Sequence, residues 1–318
     1  MPGYLLANVP AVLGFYPQDS LVLVGLDRHR GNTYHMGPVL RADYPLPPEA
    51  LAEGLDTVAG AGSTSVMVFL IGAVPSDSAV RSLREEVQHP ALRLWGGWWC
   101  ERIVTGERYG CLWEEEHGRW PGGVIPAVSQ TPAMQALVEC GELPELTRAE
   151  ACAHFQVRGK PWFVDHQDAY RLVHTMRHTP GLRKEVEAEA EDLLRGNGDT
   201  THLAILLSHH MLRDLLIPPV LEHPEQAYCT LRRVVHHTRG EARANALCLH
   251  AVAAAACGRP WRAALALHTA VEEAPGHTLG RLLHAVCSQR GTEAMLCAVR
   301  ESSEASGRSN IPGSTDSG

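Results

Sequence analysis

LLANVPAVLGFYPQDSLVLVGL, residues 5 to 26, contains the turn on which the rest of the chain is organised. It reads as an amphipathic turn of helix, a tight Gly14-Phe15-Tyr16-Pro17 corner, the pair Asp19 and Ser20, and then an apolar strand. Leu21 to Leu26 is a continuous apolar run bounded by Ser20 and Asp27, the pattern of a central strand covered on both faces. Arg28 to Asn32 carries turn residues. Val39 to Tyr44 then alternates, with Leu40, Ala42 and Tyr44 on one face and Arg41 and Asp43 on the other. This predicts a second strand antiparallel to the first. Pro45, Pro47 and Pro48 end it and open a helix with Leu51, Leu55 and Val58 inward.

Ser65 to Ile71 is a second apolar run, followed by a helix with Val80, Leu83 and Val87 inward. Alternating strands and helices argue for an α/β domain, a mixed sheet with helical cover. Two more strands, Trp98 to Val104 and Tyr109 to Glu114, close it as a hairpin. The α/β domain is expected over residues 1–128.

From Thr131 onward helical periods dominate, so residues 129–300 predict an all-α domain. Its inward stripes are Ala169, Leu172, Val173 and Met176, then Ala204, Leu207, Met211 and Leu215, then Leu279, Leu282, Leu283, Val286 and Cys287. Residues 242–275 form a helical hairpin about Gly258-Arg259-Pro260, with Ala263, Leu267, Ala270 and Pro275 at the offsets of one tetratricopeptide-like unit. A single unit cannot build a solenoid, so a bundle with a repeat-like end is expected. The Ser- and Gly-rich tail, 301–318, lacks apolar surface to order itself and is expected to be disordered.

Composition narrows the function classes. The formal charge is -8, which gives no overall attraction to phosphate backbones and disfavours nucleic acid as a partner. Asn8, Pro10, Pro17 and Asp19 interrupt the N-terminal apolar run, so neither a signal peptide nor a membrane span is expected, and a cytoplasmic address follows. Nine cysteines without a Cys-x-x-Cys pair point to reduced, structural thiols. Lysine occurs only at 160 and 184, an arginine bias that suggests a high-GC bacterial source.

The opening stretch resembles the signature of an actinobacterial family, domain of unknown function 4192. The matching residues are Leu5, Leu6, Val9, Pro10, Leu13, Gly14, Phe15, Pro17, Asp19 and Ser20, followed by an Arg-x-Asp-x-Pro at Arg41, Asp43 and Pro45. The resemblance implies a fold and no activity. The family's Cys-Cys-Pro turn is replaced here by Cys111, Trp113, Glu114, Glu115, Glu116 and His117, so no metal or redox role carries over.

Four polar residues, Asp19, Ser20, Arg41 and Asp43, fall at one predicted sheet edge, where they could form a small-molecule or catalytic site or serve the turn. No Gly-x-Ser-x-Gly surrounds the serine and no histidine joins it at a recognisable spacing. His174 and His178 share a helix face at the spacing of two metal ligands, but without a third ligand they read as a solvated basic face with Arg171. Trp98, Trp99 and Trp113, in a tryptophan-dense stretch, read as strand packing or as a ligand or partner wall. Arg232 and Arg233, with His236, His237 and Arg239, form a local basic patch suited to an anionic partner. No nucleotide or phosphate-loop motif is present, so no cofactor is expected. The resulting expectation is a protein-binding or scaffold module acting through its helical domain, ahead of the alternative, a small-molecule-binding protein or enzyme with a site near Asp19, Ser20, Arg41 and Asp43. Homo-oligomerisation is left open.

Overall fold

The computed structural model describes residues 1–28, 33–114 and 120–308. The chain divides into two compact units, Met1–Ala153 and His154–Gly318. The division falls later than residue 128, and the reason is local. Helix α4 (Pro132–Glu139) packs on helix α1 (Pro2–Leu13), where Ala133 N–H donates to the Asn8 side chain at 3.3 Å. The short helix α5 (Arg148–Ala153) ends the first unit.

In the first unit α1 leads into β1 (Ser20–Arg28) and β2 (Tyr34–Asp43), then α2 (Pro48–Gly60), β3 (Ser65–Ile71), α3 (Asp77–Glu86), β4 (Arg93–Cys100), β5 (Arg108–Glu114) and β6 (Gly122–Val124). Among the described residues these make one six-stranded mixed sheet of order β2-β1-β3-β4-β5-β6. β1 pairs antiparallel with both β2 and β3, and its apolar run fits a central strand buried on both faces. The β3–α3–β4 crossover makes β3 and β4 parallel, and β4 and β5 form the expected hairpin. The main differences from expectation are three strand boundaries and one added strand. β2 starts at Tyr34, β4 starts at Arg93 and ends at Cys100, and β6 extends the sheet beyond the hairpin.

One face of the sheet carries Leu21, Leu23, Val66, Val68 and Leu70 against Leu51, Leu55 and Val58 of α2 and Leu83 of α3. By strand alternation Val22, Val24, Met67, Phe69 and Trp98 point to the other face, where they too are buried. Helix α1 packs on α4 and touches β2 and β6, the two edge strands.

The second unit is helical: α6 (His166–His178), α7 (Leu182–Leu194), α8 (Thr200–Leu207), α9 (His210–Asp214), α10 (Ile217–Glu222), α11 (Pro224–His237), α12 (Gly240–Ala256), α13 (Pro260–Glu273) and α14 (Thr278–Arg308). Every residue of α12 from Ala242 to Ala254 is buried, because α8, α10, α11, α13 and α14 pack around it. A helix buried on every side belongs at a centre, and its alanines let neighbours approach closely, while its buried Arg243, Asn245 and His250 are hydrogen-bonded. Two stripes are corrected. Ala204 and Leu207 belong to α8, whereas Met211 lies on α9, since the chain turns at Ser208 and His209. Leu282 is exposed while Leu283 is buried.

The tail is also corrected: α14 runs to Arg308, with a break at Gly291 (φ 84°, ψ 170°). Expectations for residues 29–32, for 115–117 and for the tail beyond 308 lie outside the described residues. Among the described residues no helix is long and apolar enough to cross a membrane.

Candidate functional site

The sheet-edge corner forms because Gly14 caps α1 in the left-handed region and the chain then pairs with a distant segment. Tyr16 N–H donates to Glu145 O at 3.0 Å, and Glu145 N–H donates to Gly14 O at 2.9 Å. Asp19 takes a left-handed conformation (φ 42°), which turns its carbonyl to accept from Tyr44 N–H at 2.9 Å. Ser20 is fully buried at the first position of β1 and lies opposite Asp43 of β2. Its hydroxyl donates to Gln18 O at 2.6 Å and accepts from Arg41 Nε at 2.8 Å. Arg41 also donates to Gln18 O at 3.3 Å and pairs with Asp43 at 2.5 Å.

Ser20, Arg41 and Asp43 therefore meet as predicted, but Asp19 does not join them. Its carboxylate faces Gly72, where a Cβ would stand 2.7 Å from Oδ1. The Ser20 proton is committed to a backbone carbonyl, and no histidine hydrogen-bonds the hydroxyl among the described residues. This geometry ties two strands to a loop and provides no general base for the hydroxyl.

Trp98 and Trp113 are buried, and Trp99 is half-buried. Trp98 lies against Phe69 with ring centroids 5.8 Å apart, and its Nε1–H donates to Trp120 O at 3.0 Å. Trp113 covers Gly97, and Trp99 Nε1–H donates to Gly72 O at 2.9 Å. The expected basic patch divides. Arg233 is exposed, whereas His236 is buried and its Nε2–H donates to His154 O at 2.8 Å. His237 stacks on Trp162 at 4.8 Å. Arg232 is half-buried.

A concave basic site lies instead along α6. Asp165 caps this helix by accepting from Gln167 N–H at 2.9 Å, and Ala169 and Val173 face inward. The helix also lines a groove of about 470 Å³ with Gln167, Tyr170, Arg171, His174 and Arg177 and the edge of Val173, joined by His209 from the α8–α9 turn. His209 is buried, and its Nδ1 accepts from Met211 N–H at 3.2 Å, which leaves the ring proton on Nε2 when the imidazole is neutral. Burial, then His210 and Arg177, push its pKa below the ordinary histidine range.

Arg171 pairs with Asp168 at 2.5 Å. Arg177 contacts Met211 Sδ at 3.3 Å and meets no carboxylate among the described residues. His174 and His178 are neighbours, with centroids 4.7 Å apart. Among the described residues no group of three His, Cys, Asp or Glu is placed to hold a metal ion, and His174 stands among arginines.

A second constellation escaped the sequence reading. His277 Nε2–H donates to Asn245 Oδ1 at 2.9 Å, while its Nδ1 accepts from Gly280 N–H at 3.1 Å and faces Cys248 Sγ at 3.8 Å. Thiol, imidazole and amide are thus aligned in the order of a nucleophilic triad. Cys248 is fully buried, and burial pushes its thiol up to about 12, so it stays protonated and closed to substrate. Arg213 also donates to Asn245 Oδ1 at 3.0 Å, and Asn245 donates to Leu207 O at 2.8 Å. This cluster locks the ends of α8, α9 and α14 to α12.

The protein is thus of a class that joins a mixed α/β sheet unit to a helical unit with a central alanine-rich helix. It belongs to the family described as Domain of unknown function (DUF4192), which it matches over residues 2–292, ending at the Gly291 break in α14. No curated protein and no solved structure matches the chain.

Proposed function

We propose that this is a cytoplasmic, actinobacterial binding protein that engages another protein through its helical unit. The observation that carries this reading is Phe163, which is 87% exposed on an anchored segment. Its neighbour Trp162 stacks on His237, and Trp162 N–H donates to His237 O at 2.7 Å. An exposed aromatic side chain beside an anchored backbone offers a partner's pocket the kind of anchor that carries binding energy at interfaces. The α12–α13 hairpin, similar in its small-residue spacing to one tetratricopeptide-like unit, supports the same reading. The hydrogen bonds of the Ser20 corner go to the protein's own backbone, which argues against catalysis there.

The test is affinity capture with the full chain and with Phe163→Ala, followed by a direct titration of any captured protein. A partner that binds the wild type directly and loses most of its affinity for the variant supports the proposal. Equal binding by both overturns it, as does turnover of a metabolite by the purified protein without any partner.

A further inference from the structure

We propose that the groove along α6 is a binding site for a small phosphate monoester, held by Arg177, His174 and the Nε2–H of His209. Its volume, about 470 Å³, falls within the range of small-ligand sites. No acidic side chain lines it. The nearest carboxylates on its own helix, Asp165 and Asp168, lie 4.0 Å and 2.5 Å from Arg171 and offset that one charge. Arg177 has no such counter-charge among the described residues, and its bond to a thioether sulfur is weak enough to be exchanged for an oxyanion.

His209 supplies the buried element that a solvated basic face lacks. It is 8% exposed, its Nδ1 is held by the Met211 backbone, and its Nε2 has no hydrogen-bond partner among the described residues. A donor fixed in this way is pre-organised, so a ligand oxygen meets it without ordering cost. Tyr170 is 65% exposed and sets its ring edge-on to His209 at 5.0 Å, which leaves it as an apolar wall for the organic part of the ester. A doubly charged phosphate uses a guanidinium and two imidazole donors together more fully than a singly charged carboxylate does.

The inference is independent of the protein-partner reading, because its probe is a small molecule and its variants leave Phe163 unchanged. Calorimetric titration of the full chain at low salt with phenyl phosphate, inorganic phosphate and benzoate tests it. Phenyl phosphate should bind at one site per chain, inorganic phosphate more weakly, and benzoate more weakly than phenyl phosphate. Arg177→Ala and His209→Gln should each weaken phenyl phosphate by about tenfold or more, while Arg233→Ala, outside the groove, should not change it.

Arg177 is exposed, so its variant keeps the fold even if His209→Gln melts early. Absence of saturable binding at millimolar phenyl phosphate overturns the proposal. Equal binding of benzoate, or wild-type affinity in Arg177→Ala, overturns it as well.

Discussion

Arg41 reaches across from β2 to donate through Nε to the fully buried Ser20 hydroxyl at 2.8 Å, and Ser20 relays the bond to Gln18 O at 2.6 Å. The relay joins the start of β1, the end of β2 and the preceding loop, all within the stretch that identifies the family. Its donors face acceptors within the protein itself.

Stability should therefore fall when this relay is cut. Ser20→Ala is expected to cost about 1–2 kcal/mol, since it leaves Arg41 Nε without its acceptor. Arg41→Ala should cost a similar amount. Urea unfolding of the full chain measures both, and variants with wild-type midpoints would contradict the architectural role.

Gly97 lies opposite Trp113 in the β4–β5 pair, and a Cβ there would overlap the indole ring. Gly97→Ala forces the buried Trp113 to move and should destabilise the protein by about 1–3 kcal/mol. A melting temperature equal to wild type would show that the ring relocates freely.

Arg243 is buried in α12, where it pairs with Glu273 and donates to the carbonyls of Val235 and Phe155. Arg243→Met leaves the buried carbonyls of Val235 and Phe155 without their donors while the half-exposed Glu273 can turn to water, at a cost of about 2–4 kcal/mol. Arg243→Lys keeps the charge but cannot span the three acceptors, and it should fail to restore the midpoint in denaturant.

Acid sensitivity should arise in the helical unit. Burial lowers the pKa of His250 and His154 to about 3, with Arg232 and Arg262 adding repulsion. His250 Nδ1–H donates to Tyr228 O at 3.2 Å, and its Nε2 is buried without a partner, so protonation has no acceptor to meet. The unfolded chain takes up these protons near pH 6.5 and the folded chain does not. Stability is therefore full above about pH 6.5 and declines as pH falls from there toward about 3, by on the order of a few kcal/mol. Melting temperatures at about pH 7.5 and about pH 4.5 check the sign, and His250→Phe should flatten the decline. A profile level across that interval would refute it.

Much of the fold was readable from local pattern. The unbroken apolar run of β1 and the alternation of β2 predicted an antiparallel pair, and β3 followed by an amphipathic helix predicted a sheet with helical cover, though not the parallel pairing of β3 with β4. The strand starts at Tyr34 and Arg93 were missed because histidine, glycine and arginine interrupt the apolar pattern there, while sheet hydrogen bonds carry the backbone through. The three-residue strand β6 has too few side chains to show any period.

By itself, then, the sequence determined the order of elements, which face of most of them turns inward, the family and the meeting of Ser20 with Arg41. Tertiary structure alone decided that Asp19 turns away, that Trp98 and Trp113 are interior while Trp99 is half-buried, and that His209 completes a groove begun by His174 and Arg177. It also decided that Cys248, His277 and Asn245 meet in a sealed core. The physical reason is separation along the chain. Periodicity reports how one element faces its surroundings, whereas a site made by α6 and the α8–α9 turn depends on packing between elements whose sequences carry no mark of each other.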